Sequence, residues 1–275
     1  MKILAIMGAS KNGNTTEVIN YFEKKLKQTM NCQFEYLYLS DYNIDFCTGC
    51  HNCIFDGEDK CPHFSEVQKI EDKILEVDGV ILATPGYMFS VTGIMKNFLD
   101  HVAYNCHRPK YFGKKLFIIA NCTKWQEESV FKPMETWAKG SGFSFVGKLY
   151  VDILPFPLKD KELDKRRNLI QKGARKFINE LRRENQVNPT FGDIVTFHAF
   201  RTLSKIAPKI LTADYKYYKD KGAFEKSSRW YISSNVSFIK HKGANIIEKK
   251  IEKEVSNMID HDEMNEIEGR YKTNL

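Results

Sequence analysis

Through the first 180 residues the chain alternates two patterns. Short runs that are apolar throughout, or at every second position, read as strands. Longer stretches with apolar residues every three or four positions read as helices. Lys2–Met7 is a continuous apolar run ending in Gly8, suited to a strand buried on both faces. Residues 14–30 place Val18, Ile19, Phe22, Leu26 and Met30 on one helical face, with Asn14 and Glu17 spaced as a cap and its reciprocal partner. Strands follow at 33–39, 79–83, 115–120 and 143–151. Helices follow at 65–77, 92–104, 129–139 and, long and basic, 160–183.

Five strands alternating with five helices predict an α/β domain with helices on both faces of a parallel sheet, because parallel neighbours need right-handed crossovers. Five strands suit a doubly wound five-stranded sheet of order 2-1-3-4-5. The expected division is a domain over residues 1–184 and a mainly helical C-terminal extension over 185–275, joined by a linker at 186–192 that holds Pro189 and Gly192.

Composition narrows the class. Of 275 residues, 42% are hydrophobic and 28% charged, an ordinary globular mix. No apolar run approaches the roughly 20 residues of a membrane span, so no membrane span is expected. The apolar start, Ile3 to Met7, is too short for a signal-peptide core, which predicts a cytoplasmic protein. The net charge of +7 is uneven: residues 1–150 are neutral, with 17 basic and 17 acidic residues, and all of the excess lies beyond them.

The chemistry begins at Gly8-Ala9-Ser10-Lys11-Asn12-Gly13-Asn14-Thr15-Thr16, between the first strand and the first helix. A loop feeding a helix N-terminus gathers unpaired N–H groups, the positive end of the helix dipole and hydroxyls, which together bind phosphate. The loop is not G-x-G-x-x-G. It starts like a P-loop, but Asn14-Thr15 stands where Lys-Ser/Thr belongs, so a monophosphate fits better than a triphosphate. A tight turn alone explains Gly8 and Gly13, but not Ser10, Asn14, Thr15 and Thr16 together. A second loop, Pro85-Gly86-Tyr87-Met88-Phe89-Ser90, follows the third strand and borders the same crevice, where the strand order reverses. Its backbone groups and aromatic side chains suit a flat heterocycle.

The motifs G-x-S-x-x-G-N-T and P-x-Y…S-x-T-G-x-x-K-x-F-x-D resemble those of the NADPH-dependent FMN reductases of the flavodoxin-like superfamily, over roughly residues 1–180. The resemblance implies a flavodoxin-like fold and non-covalent FMN. Ser10, Asn12, Asn14, Thr15 and Thr16 would then hold the phosphate, and Pro85, Gly86, Tyr87, Met88 and Phe89 would line the isoalloxazine. A third flavin loop is expected at Asn121-Cys122-Thr123-Lys124-Trp125, with Asn121 as a contact. The cofactor performs the hydride chemistry in such enzymes, so no catalytic acid is assigned. His51, His63, His101 and His107 read as satisfied or exposed imidazoles.

Cys47-x2-Cys50-x2-Cys53-x7-Cys61-Pro62 lies between the second strand and second helix. Four thiols so spaced can hold iron–sulfur or zinc, or stand as redox-active thiols; spacing alone does not choose. The pattern resembles the compact motif of iron–sulfur flavoproteins, a branch of the same family, which implies a possible 4Fe-4S cluster on these cysteines. Cys32, Cys106 and Cys122 read as buried structural thiols.

The extension is basic and aromatic. Helices are expected at 194–211 and 245–257, with Tyr215, Tyr217, Tyr218 and Phe224 set among lysines and the chain end frayed. The aromatics are numerous enough to need burial, which favours a packed extension that serves as a homo-oligomer interface or a flavin cover over an anionic-membrane or nucleic-acid surface. No nucleic-acid partner is expected. The combined expectation is an oxidoreductase taking hydride from NAD(P)H and reducing a quinone, a flavin or another small acceptor. The alternative is an electron-transfer iron–sulfur flavoprotein whose partner is a redox protein.

Overall fold

The computed structural model describes all residues except 124–126, 185–187, 226, 235 and 268–275. The expected Lys124-Trp125 part of the third loop, the start of the linker and the frayed chain end lie outside the described residues. The chain divides into two compact units: Met1–Thr48 with His63–Asn185, and Gly49–Pro62 with Gln186–Leu275.

The first unit holds β1 (Lys2–Met7), α1 (Asn14–Lys27), β2 (Gln33–Tyr38), β3 (Gly79–Tyr87), β4 (Ser90–Val91), β5 (Lys115–Cys122) and β6 (Ser144–Asp152). Its other helices are α3 (Phe64–Leu75), α4 (Gly93–His101), α5 (Glu127–Gly140) and α6 (Asp160–Arg182); α2 (Asn52–Phe55) belongs to the second unit. The parallel strands run in the order β2-β1-β3-β5-β6, with β4 paired antiparallel to β3 alone. Leaving out that two-residue strand gives the expected 2-1-3-4-5 order.

The strands are apolar throughout because both faces are covered. Leu4, Ile6, Val80, Leu82, Leu116 and Ile118 point to one face and pack with α3, α4 and α5. Ile3, Ala5, Met7, Ile81, Phe117 and Ile119 point to the other and pack with α1 and α6. The register aligns Met7 with Ala83, and Pro85 with Asn121, so three strands end together at one edge.

Several boundaries differ from the sequence reading. Gly13, in extended conformation, is the N-cap of α1, and no side chain caps the helix. Asn14 already lies inside it, one position too late to close a capping box with Glu17. The helix expected at 92–104 is α4, capped by Thr92 and followed by a 3-10 turn, Ala103–Cys106.

The second unit contains α2, α7 (Phe191–Ile206), α8 (Thr212–Asp220), α9 (Phe238–Met258) and α10 (His261–Glu266). The expected 194–211 helix starts three residues earlier, on a Thr190–Asp193 capping box, and stops before Pro208. The short helix expected at 245–257 is part of the 21-residue α9. Phe197, Tyr218 and Tyr231 are buried, with the Tyr218 and Tyr231 hydroxyls 2.9 Å apart.

Beside them Glu248 of α9 receives Arg201 Nη2 (2.6 and 2.7 Å), His198 Nδ1 (2.7 Å) and Thr202 Oγ1 (3.0 Å) from α7. Partial burial opposes the Glu248 charge, but the His198 and Arg201 hydrogen bonds and the Arg201 charge outweigh it and hold the carboxyl at about 2, against an ordinary 4.5. A depressed carboxyl stabilises the fold fully above its unfolded value and loses that contribution as pH falls through its folded value. The α7–α9 packing is therefore expected to weaken from about pH 4.5 down to pH 2. Near-UV circular dichroism of Trp230 against pH checks it. Glu248→Gln should flatten that dependence, and an unchanged acid profile in Glu248→Gln would refute it.

Candidate functional site

β1 ends at Met7 and the chain turns at Gly8, where a Cβ would lie 2.7 Å from Met95 Cβ. The Gly8 N–H donates to the Ala83 carbonyl (2.8 Å), and the Gly8 carbonyl accepts from Thr92 Oγ1 (2.8 Å). Thr92 in turn caps α4 by accepting the Met95 N–H. One residue thus joins the first loop to the helix that follows the second. The first loop closes on itself: Gly13 N–H and Thr16 Oγ1 both donate to the Ser10 carbonyl (3.3 and 2.9 Å). A Cβ on Gly13 would meet Ser10 Oγ at 2.6 Å, so a side chain there would displace the Ser10 hydroxyl.

Thr15 and Thr16 are buried. Thr15 Oγ1 donates to Asn121 Oδ1 at 2.5 Å, which ties the first loop to the end of β5. Lys11 pairs with Asp41 (2.8 Å) and lies over the Tyr38 ring. The first-turn amides of α1 have no side-chain cap, an arrangement that presents them to an external anion.

The second loop is a hairpin. β3 runs on to Tyr87, and Tyr87 pairs with Ser90 around a two-residue turn, Met88-Phe89. Both turn residues have positive φ, 48° and 55°. Type I′ hairpin turns have positive φ at both positions, and Asn-Gly usually fills them. Non-glycine residues there cost about 1–3 kcal/mol each, a strain that clusters at binding sites. Tyr87, Met88 and Phe89 are 65%, 92% and 60% exposed, an apolar tip with no core to fill.

At the end of β5, Cys122 Sγ sits 2.7 Å from Tyr150 Oη, and the Tyr150 hydroxyl donates to the Thr123 carbonyl. Burial raises the Cys122 thiol above its ordinary value.

These three edges enclose a cleft of about 1010 Å³. Ser10, Asn14, Thr15, Pro85, Gly86, Tyr87, Met88 and Asn121 line it; Asn12, Thr16 and Phe89 stand outside its lining. Lys11, Ser40, Thr92, Ile94 and Ile153 line it without having been singled out from sequence. Of these only Thr92 carried a signal, as a Thr-Gly pair opening an apolar helix.

The four cysteines are divided between the units. Cys47 is exposed, in the first unit, and its N–H donates to Asn97 Oδ1 (3.0 Å). Asn97 Nδ2 also donates to the Ile44 and Asp45 carbonyls (3.1 and 3.2 Å), and His101 Nε2 lies 2.9 Å from the Asp45 carbonyl. Cys50, Cys53 and Cys61 are partly buried, in the second unit. Their soft thiol chemistry suits iron or zinc. Among the described residues, however, no group of three or more His, Cys, Asp or Glu is drawn together to hold a metal. Among them also, no helix is long and apolar enough to cross a membrane.

Residues 1–130 match the family model for NADPH-dependent FMN reductase. An iron–sulfur flavoprotein of Archaeoglobus fulgidus is 30% identical over 227 residues, 81% of this chain and 99% of the relative. An iron–sulfur flavoprotein of Clostridioides difficile is 30% identical over 210 residues, 74% of this chain and 90% of the relative. Among solved structures, a flavone reductase shares the fold at a TM-score of 0.50 and 17% identity, covering 66% of this chain and 63% of that one. The chain therefore belongs to the NADPH-dependent FMN reductase family, in its iron–sulfur flavoprotein branch, and is an oxidoreductase.

Proposed function

We propose that the protein binds FMN in the cleft, takes hydride from NADH or NADPH and passes the electrons to a small acceptor such as a quinone or a second flavin. The observation that supports this reading best is the pairing, in one cleft, of an uncapped helix N-terminus with a strained apolar hairpin. The first suits the phosphate end of the cofactor. The second suits the ring end.

When bound, FMN supplies two-electron acceptance from a nicotinamide and one- or two-electron release. The chain's own groups do the rest. Ser10 and the amides of Asn14 and Thr15 bind the phosphate. The Thr15–Asn121 bond fixes the loop that carries them. Gly86, where a Cβ would meet Val130 Cγ2 at 2.8 Å, keeps the backbone close to α5. Tyr87 and Met88, at the exposed side of the cleft, would flank the nicotinamide and the acceptor.

A second reading keeps the cluster: Cys47, Cys50, Cys53 and Cys61 hold a 4Fe-4S group, and the protein hands electrons to a redox partner. The thiol spacing and the names of the two relatives favour it. A homo-oligomer belongs to either reading, supported by the exposed Phe238, Ile239 and Ile246 of α9.

The absorption spectrum and iron content of anaerobically purified protein test both. Flavin bands with negligible iron support the first reading alone. Flavin on a broad absorbance, with about four irons per chain, supports the second. No flavin, and none taken up from added FMN, would sink both.

A further inference from the structure

The segment 49–62 is separated by more than 120 residues from the stretch with which it forms a compact unit, 186–275. It is closely built. His51, at positive φ (57°), caps α2, and its carbonyl accepts the Ile54 and Phe55 N–H groups. Asn52 Nδ2 donates to the Lys60 carbonyl (3.3 Å), and the Cys61 N–H donates to the Glu58 carbonyl (3.1 Å). These bonds close the segment into a loop that presents Cys50, Cys53 and Cys61.

A four-residue helix cannot hold itself together, since nucleation costs more than one turn returns. Something must support it. α2 packs against α8, and Thr212, the first residue of α8, donates its hydroxyl to the Phe55 carbonyl at 2.8 Å. Phe55 is the last residue of α2, so its carbonyl is one of those that accept no hydrogen bond from within the helix.

We propose that the C-terminal extension is the scaffold of the cysteine segment, with Thr212 of α8 as its positioning residue. The flavin cleft and three of the four cysteines, Cys50, Cys53 and Cys61, then sit on separate compact units of one chain. The proposal concerns how the segment is held and stands whether the thiols bind iron, bind zinc or remain unligated.

Hydrogen–deuterium exchange of the full-length protein, with whatever cofactor it retains on purification, tests it. Thr212→Val removes one hydrogen bond and should raise exchange at residues 52–61 about three- to tenfold, with residues 1–48 and 63–123 unchanged. Thr212→Ser, which keeps the donor, should match the wild type. Equal exchange at 52–61 in all variants overturns the proposal, as does a rise spread evenly over the first unit.

Discussion

The Ser10→Asp variant is expected to purify colourless and to bind added FMN at least a hundredfold more weakly than the wild type. The phosphate monoester of FMN carries close to two negative charges near neutral pH. At about 5 Å and an effective dielectric of about 20, each unit-charge pair repels by about 3 kcal/mol, and every 1.4 kcal/mol is a factor of ten in affinity. Screening by salt lowers this, so the loss should shrink as ionic strength rises. Ser10→Ala removes at most one hydrogen bond and should weaken binding only about three- to tenfold.

The fold should not suffer. Ser10 is exposed, and a carboxylate near the start of α1 is favoured by the helix dipole by about 0.3–1 kcal/mol. Stability and affinity are therefore predicted to move in opposite directions, which a general folding defect does not do. Quenching of flavin fluorescence on titration gives the affinity, and thermal melting gives the stability. Wild-type affinity in Ser10→Asp would show that no phosphate sits at this loop.

Much of the first unit was legible because its strands are buried on both faces. Ile3, Ala5 and Met7 point one way and Leu4 and Ile6 the other, yet all five are apolar, so the run announces a central parallel strand. The shape of the loop at residues 8–16 was legible for a similar reason: a strand, a short glycine-bearing loop and a helix leave few conformations. Illegible features are those decided by partners far along the chain. The Met88-Phe89 turn carries neither Asn nor Gly, so nothing local announces a hairpin with positive φ at both positions. α9 buries Ala244 and leaves Ile239 and Ile246 exposed, so its 21 residues show no clean apolar stripe. The Thr15–Asn121 bond spans 106 residues, and the grouping of 49–62 with the C-terminal stretch spans still more. Neither type of pairing leaves a periodic trace.

Glu71 is another residue the sequence hid, and its removal should have the largest effect on stability. It sits on the buried side of α3, fully buried, where the helical pattern accounts for Val67, Ile70 and Ile74 but not for a carboxylate. Its oxygens accept from Asn105 Nδ2 (2.7 Å), Lys110 Nζ (2.8 Å), Tyr111 Oη (2.7 Å) and the Tyr104 hydroxyl. All four donors come from the connection between α4 and β5, so one carboxylate fastens that whole crossing to α3. Burial and the Glu71 charge together push the Tyr111 hydroxyl well above its ordinary value, which keeps it a donor at every working pH.

Glu71→Ala strips the acceptor from all four groups at once and opens a cavity beneath them. Breaking a buried charged network from one side costs about 3–5 kcal/mol. In a unit of this size each kcal/mol moves the melting temperature by about 2–4 °C, so the first unit should melt roughly 10 °C lower. Glu71→Gln keeps one acceptor and the side-chain volume and should cost about 1–3 kcal/mol. Glu71 does not line the cleft, so FMN affinity well below the melting point should match the wild type in both variants. Melting followed at 222 nm separates the outcomes. If Glu71→Ala melts with the wild type, the four hydrogen bonds merely repay the cost of burying the charge; a drop confined to Glu71→Ala, with Glu71→Gln near the wild type, assigns the stabilisation to acceptor geometry and not to charge.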